Sequence, residues 1–191
     1  IFAKCNIQIS VKTRLGMEDA SGFPELMKLY NKFPMKELII HPRVQKDFYK
    51  NTPNLEMFAE AFAMSTNPVC YNGDIFCVEA HQRICERFPE LDAVMSGRGT
   101  LTNPALAREI RGGQALTKAE LRKFHDLVYH TYRAEVSGDR NVLFKMKELW
   151  FYMGPLFANN KKYLKKIKKS EKCIVYESAV AELFSNEELI L

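Results

Sequence analysis

The sequence predicts an α/β unit of repeated strand and helix followed by an all-α unit, and three observations carry that prediction. Residues 1–116 alternate short β-rich runs with single amphipathic helical patterns, four times in succession. Beyond Gly113 the strand signals stop and helical periodicity alone remains. The charge divides at about the same place, with +1 over residues 1–116, +8 over 117–172 and −4 over 173–191. The boundary is therefore expected near residue 115, giving units 1–115 and 116–191.

Strands are expected at 7–14, 37–41, 68–72 and 93–96. The first helix, at 24–33, places Leu26, Leu29, Tyr30 and Phe33 at spacings of three and four. The second begins at Thr52-Pro53, an N-cap followed by a proline that needs no hydrogen-bonded N–H, and carries Leu55, Phe58, Ala59 and Phe62. The third covers 78–88, and the fourth runs from Asn103-Pro104 to Arg111, where Gly112-Gly113 stops it.

Strands alternating with single helices form right-handed βαβ units on a parallel sheet. Four such units are half of an eight-fold barrel or a small open sheet. The polar residues favour the barrel. In the first strand Ile7, Ile9 and Val11 share one parity while Gln8, Ser10, Lys12 and Arg14 share the other, so one face grows charged toward its C-terminal end. Chemistry at the C-terminal mouth fits that pattern. The fold expected is the second half of a TIM (β/α)8 barrel followed by a C-terminal helical bundle.

In the helical part, Thr117-Lys118-Ala119-Glu120 has the capping-box spacing and starts a helix that buries Leu121, Phe124, Val128 and Tyr132. A second helix, at 141–153, presents Val142, Met146, Leu149, Trp150 and Met153, and Gly154-Pro155 stops it. Two more are expected at 161–169 and 178–184.

Composition narrows the class. At 47% hydrophobic and 27% charged, the chain is globular, and no apolar run approaches the length of a membrane span. Five cysteines (Cys5, Cys70, Cys77, Cys85 and Cys173) form an odd set without a C-x-x-C pair or zinc-ligand spacing, so reduced, mostly buried thiols and no metal are expected. A cytoplasmic protein follows from the lack of a signal-peptide pattern. The chain opens without Met, almost directly into strand-like alternation, and reads as a fragment.

Four polar clusters fall at the C-terminal ends of the four strands: V-K-T-R-L-G at 11–16, H-P-R at 41–43, N-G-D at 72–74 and G-R-G at 97–99. One alone is weak; four at one rim point to a site. In such barrels the last two strand ends commonly hold phosphate between backbone amides, and Gly73, Gly97, Gly99 and Arg98 suit that task or make plain βα turns. Lys12 at a strand end needs an anion, supplied either by a charged cofactor or by an acid such as Asp74. His41 ends a buried strand and is structural or functional; its three polar neighbours favour function. His81, His125 and His130 fall on helices and are assigned to surface or packing.

These same residues carry a resemblance. Val11-Lys12-Thr13-Arg14-Leu15-Gly16, His41-x-Arg43, Pro68-Val69-Cys70-Tyr71-Asn72-Gly73-Asp74-Ile75, and Asp92-Ala93-Val94-Met95-Ser96-Gly97-Arg98-Gly99 with Asn103-Pro104 are similar, in order and spacing, to the bacterial tRNA-dihydrouridine synthases. The resemblance implies FMN as cofactor, NADPH as its reductant and tRNA as substrate. It implies that Lys12 contacts the flavin ring at its N1/O2 edge and that His41 lies near the ring or ribityl chain. Asn72, Gly73 and Asp74 are implied at the ribityl and phosphate region, and Gly97 and Arg98 at the phosphate. In the family, hydride passes from flavin to C6 of a uracil and a cysteine protonates C5.

Two departures stand out. Pro42 and Val44 replace the residues of the family's usual H-G-R-T, and the N-x-G-C-P type motif that carries the catalytic cysteine is absent from the 191 residues. The general acid is therefore expected outside this chain. The fragment alone is expected to be inactive and able to self-associate through open sheet edges.

The run K-K-Y-L-K-K-I-K-K at 161–169 keeps Leu164 and Ile167 on one face. Its lysines make a solvated face or an electrostatic track for RNA. The RNA contacts expected are Lys161, Lys162, Lys165, Lys166, Lys168 and Lys169, with Arg43 at the rim. Two other readings compete: a phosphate-binding isomerase or aldolase without flavin, which the basic unit disfavours, and an RNA-binding module without activity, which the four-cluster rim disfavours.

Overall fold

A computed structural model describes residues 6–190 together with Phe2 and Lys4. Cys5 lies outside the described residues. Of the other cysteines, Cys70 and Cys173 are buried, Cys85 is half-buried and Cys77 is exposed, all as free thiols. The chain forms two compact units that divide between Gly97 and Arg98.

The first unit is a parallel four-stranded sheet with helices between its strands. It comprises β1 (Ser10–Gly16), α1 (Phe23–Tyr30), β2 (Glu37–Val44), α2 (Leu55–Met64), β3 (Val69–Tyr71), α3 (Val78–Arg87) and β4 (Ala93–Val94). The strands are neighbours in chain order, β1-β2-β3-β4. Consecutive βα units laid side by side keep one sense of progression, without the reversal of a doubly wound sheet. Register pairs Lys12 with Ile39, Ile39 with Cys70, and Cys70 with Ala93.

Side chains of period two divide the sheet into faces. Leu15, Leu38, Ile40, Val69 and Tyr71 are buried on the face that the helices cover. There Tyr30 of α1 donates to Thr13 and Phe58 of α2 packs edge-on against Tyr71. Lys12, Arg14, His41, Arg43, Cys70 and Asn72 share the other parity.

Several expected boundaries move, for local reasons. Ile7 is 69% exposed and precedes β1, which starts at Ser10. β2 runs three residues past His41 to Val44, because Pro42 sits beside an irregularity in the β1/β2 register instead of ending the strand. Helix α1 buries Phe23 and Met27 rather than the expected face, and Leu29 and Phe33 are largely exposed. Helix α2 is capped by Asn54, whose side chain accepts from the Met57 N–H, rather than by Thr52.

The second unit contains α4 (Arg98–Thr102), α5 (Leu106–Ile110), α6 (Lys118–Glu135), α7 (Asp139–Met153), α8 (Lys161–Lys169) and α9 (Cys173–Asn186). Sequence reading places no helix at α4, where two glycines look like a turn. Ala105 belongs to the helical core, so the chain joins this unit before the boundary expected near residue 115. The Thr117–Glu120 capping box forms as expected.

The core of this unit is centred on a phenol. Tyr176 is fully buried; its oxygen accepts from Trp150 Nε1–H at 2.7 Å and its O–H donates to His125 Nε2 at 2.6 Å. His125 Nδ1–H then donates to Asp126 at 2.8 Å, so the imidazole is neutral, and burial lowers its pKa. Hence α6 buries Leu121, His125 and Tyr129, with Phe124, Val128 and Tyr132 only partly buried. Replacing Tyr176 by Phe keeps the ring and leaves two buried partners unsatisfied, at a cost of about 1–3 kcal/mol. Chemical denaturation of the full-length protein is expected to show that loss; a change under about 0.5 kcal/mol would contradict the network's role.

Candidate functional site

The face of the first sheet that carries no helix collects its polar residues at the C-terminal ends of β1, β2 and β3. Register sets Arg14 beside His41, and residues two positions apart on one strand share the face. Three of the four predicted strand-end clusters therefore converge through the sheet itself.

Arg43 is the best-buried charge of the group, at 2% exposure. Its guanidinium forks onto both carboxylate oxygens of Asp74, one contact at 3.0 Å and the other shorter. Nε donates to the Asn51 carbonyl and Nη1 lies 3.2 Å from His41 Nε2. Arg43, expected as an RNA contact at the rim, is thus buried and bonded to groups of the first unit. Asp74 adopts a positive φ of 22° in accepting this fork.

His41 is 5% exposed. A guanidinium has only donors, so Nε2 accepts from Arg43 and the ring is the neutral Nδ1–H tautomer. Burial, then the charges of Arg14, Lys12 and Arg43, depress its pKa to about 4, with Asp74 opposing weakly. The imidazole is thus kept neutral chiefly by its burial, and the neighbouring cations add to the effect. Tyr49 stacks on it with ring centroids 6.2 Å apart, and Arg14 lies over the other ring, Tyr49, at 5.6 Å. Arg14 also donates to the carbonyls of Val44 and Phe48, tying the loop after β2 to β1.

Lys12 donates from Nζ to Asn72 Oδ1 at 2.6 Å. The ion pair with Asp74 weighed as its alternative does not form, because Asp74 belongs to Arg43. Lys12 is more exposed than expected for a residue taken out of water, yet partial burial, then Arg14, lowers its pKa. Asn72 Nδ2 donates to the Met95 carbonyl at 2.9 Å, so both ends of its amide are fixed and its oxygen faces the lysine. Gly73 follows where a Cβ would fall 2.6 Å from the Tyr71 hydroxyl, so a larger residue must displace that buried ring. A Cβ at Gly97 would meet open space. Gly97 closes the first unit and Arg98 opens α4 of the second. Among the described residues no cluster of metal-ligating side chains occurs, and no helix is long and apolar enough to cross a membrane.

Comparison with known proteins decides the family. The pattern describing dihydrouridine synthases matches residues 2–187. The chain belongs to the dihydrouridine synthase family. It is 28% identical over 187 residues to a probable tRNA-dihydrouridine synthase of Helicobacter pylori, covering 95% of this chain and 54% of that one. A tRNA-dihydrouridine(16) synthase of Pseudomonas syringae pv. tomato is 30% identical over 109 residues, covering 57% and 34%. The corresponding enzyme of Shewanella oneidensis is 34% identical over 105 residues, covering 55% and 33%. The chain spans about a third to about half the length of these curated relatives. Membership in the dihydrouridine synthases leaves the isomerase and aldolase readings without support.

Sequence reasoning missed Tyr49 and Asn51. Neither sits in a recognisable cluster, and both are brought in by the short turn after β2. Arg14 carried a usable signal in its shared parity with Lys12.

The burial of His41 among cations has a measurable consequence. Its folded pKa of about 4 lies below the ordinary value of 6.5, so the folded state binds fewer protons between them. Stability from this residue is complete above about pH 6.5 and falls as pH drops toward 4. NMR titration of the full-length protein is expected to show a His41 midpoint near 4; an ordinary midpoint of 6.5 would contradict the burial and charge described.

Proposed function

We propose that this chain is part of a flavin-dependent tRNA-dihydrouridine synthase whose complete protein reduces uridine in tRNA to 5,6-dihydrouridine, with NADPH as reductant. The observation that carries the reading is the convergence of Lys12, Arg14, neutral His41 and Asn72 at adjacent strand ends, on the parity opposite the helix-covered one. Such a face, next to the close turn at Gly73, suits a planar cofactor with a negatively charged tail. We read the parallel sheet as part of a TIM barrel with this face toward its interior.

The residues fit FMN. Bound there, FMN supplies the hydride that saturates the uracil C5–C6 bond. The Lys12 ammonium, steered by Asn72, stabilises negative charge at the ring edge. His41 offers an Nδ1–H donor and carries no charge that would compete with a cationic neighbour. Asn72 and Gly73 bring the chain close to the ribityl and phosphate region, while Asp74 acts chiefly by holding Arg43. Gly97 leaves room for a phosphate. For Arg98, in the second unit, the phosphate contact rests on the sequence motif alone. Asp74 as a direct cofactor contact competes with its pairing to Arg43, which supports a positioning role. The proton donor for C5 is not assigned to any cysteine of this chain.

The exposed lysines of α8 are proposed as tRNA backbone contacts, supported by the +8 charge over residues 117–172. The protein is proposed to act in the cytoplasm, where its substrate resides.

The full-length protein is expected to purify yellow and to release FMN on denaturation, read by absorbance and chromatography. Lys12→Ala or Arg98→Ala lowers the flavin retained through gel filtration several-fold while the fold persists. A colourless parent protein with no affinity for added FMN would sink the proposal.

A further inference from the structure

The second unit carries a surface feature that the charge pattern alone does not explain. Phe144 and Phe151 on α7 are 69% and 76% exposed. They are seven residues apart, two turns along one face of the helix, roughly 10 Å in rise. With Trp150 and with Leu164 and Ile167 of α8 they line a groove of about 750 Å³. Two exposed phenylalanines on one helix face of a globular unit call for an occupant.

The surrounding charges select among occupants. Helical geometry spreads the six lysines of α8 over one continuous arc. Lys168, Lys161 and Lys165 are the half nearer Leu164, and Lys168 lines the groove directly. Lys169, Lys162 and Lys166 are the half farther from it: Lys166 pairs with Glu182 of α9 and Lys162 lies over the Tyr163 ring. On the α7 side Lys147 reaches the Ser170 carbonyl, and Glu148 is the one acid among the lining residues. An apolar aromatic floor with a cationic border matches unpaired nucleotides, whose bases have π faces and whose backbone is anionic.

We propose that the α7/α8 groove binds unstacked nucleotides of the RNA substrate, with bases against Phe144 and Phe151 and phosphates along Lys161, Lys165 and Lys168. This deepens the tRNA reading above and rests on it. It divides the basic arc of the helix into an RNA-facing half and a structural half. It also adds two apolar residues to a contact surface that charge alone assigns to lysines.

The test measures binding of an unmodified tRNA transcript to the full-length protein across a salt series. Phe144→Leu with Phe151→Leu keeps apolar volume and removes the π faces; affinity is expected to fall about tenfold or more at every salt concentration, with the salt slope unchanged. Phe144→Tyr with Phe151→Tyr keeps the rings and is expected to bind within about twofold of the parent. Neutralising Lys161, Lys165 and Lys168 to Gln lowers the salt slope by about two, and the same change at Lys162, Lys166 and Lys169 leaves it unaltered. Parent-like binding by the leucine variant overturns the proposal. So does a change in the sedimentation of the protein on leucine substitution, since the groove is then covered by a protein chain. Flavin content is measured in the same preparations. A flavin-free parent that still binds RNA through the groove sinks the enzyme reading and leaves this one standing.

Discussion

The polar face of the sheet depends on one buried guanidinium. Arg43 stands near the end of β2 with 2% of its surface exposed, and a cation there must be matched or the strand end does not fold as found. Asp74 matches it from the turn after β3, accepting an uncommon backbone conformation to do so. Asn51 matches it from the loop after β2. The pair thus joins two βα turns that the sheet hydrogen bonds alone do not fix. It also fixes His41 in its neutral form by giving Nε2 a permanent donor. Lys12 is left free of Asp74 and turns to Asn72. Of the candidate cofactor contacts of the first unit, His41 and Asp74 are held directly by Arg43, while Lys12 and Asn72 are oriented by each other and by the Met95 carbonyl.

The second unit shows the same economy of a buried polar group with every partner supplied. Tyr176 is satisfied by Trp150 and His125, and His125 in turn by Asp126. The helices that meet there are α6, α7 and α9. Helix α8 packs through Tyr163 and Ile167, which leaves its lysines outward. A rigid aromatic core and a basic outer helix are what a platform for a charged polymer requires, since the electrostatic contacts must be held in fixed register to discriminate among backbones.

Much of this was legible in the sequence, and the losses have physical causes. The βα rhythm, the Thr117 capping box and the extent of α8 could be read because each rests on local chemistry that tertiary contacts do not override. The convergence of Lys12, His41, Asn72 and Asp74 followed from placing polar clusters at strand ends. The burial of Arg43 was not legible because a strand-end arginine looks exposed until its partner is known, and Asp74 lies 31 residues away. The exposed face of α1 was misread because the Leu26, Leu29 and Phe33 pattern suits a helix equally well when rotated. His125 was assigned to surface or packing without its role in the core network, because a histidine on a helix gives no sign of a tyrosine 51 residues later. Pairings at long sequence separation are what periodicity cannot supply.

The most direct test of the account is the flavin affinity of Arg43→Lys in the full-length protein. Lysine keeps the positive charge and loses the fork that engages Asp74, Asn51 and His41 together. Because Arg43 is buried and cannot itself reach a cofactor lying on that face, any effect passes through the residues it positions. The account predicts a protein that remains folded by circular dichroism and binds FMN at least about tenfold more weakly, a loss of about 1.4 kcal/mol. Parent-like FMN affinity in that variant would contradict the claim that the Arg43–Asp74 pair organises the site.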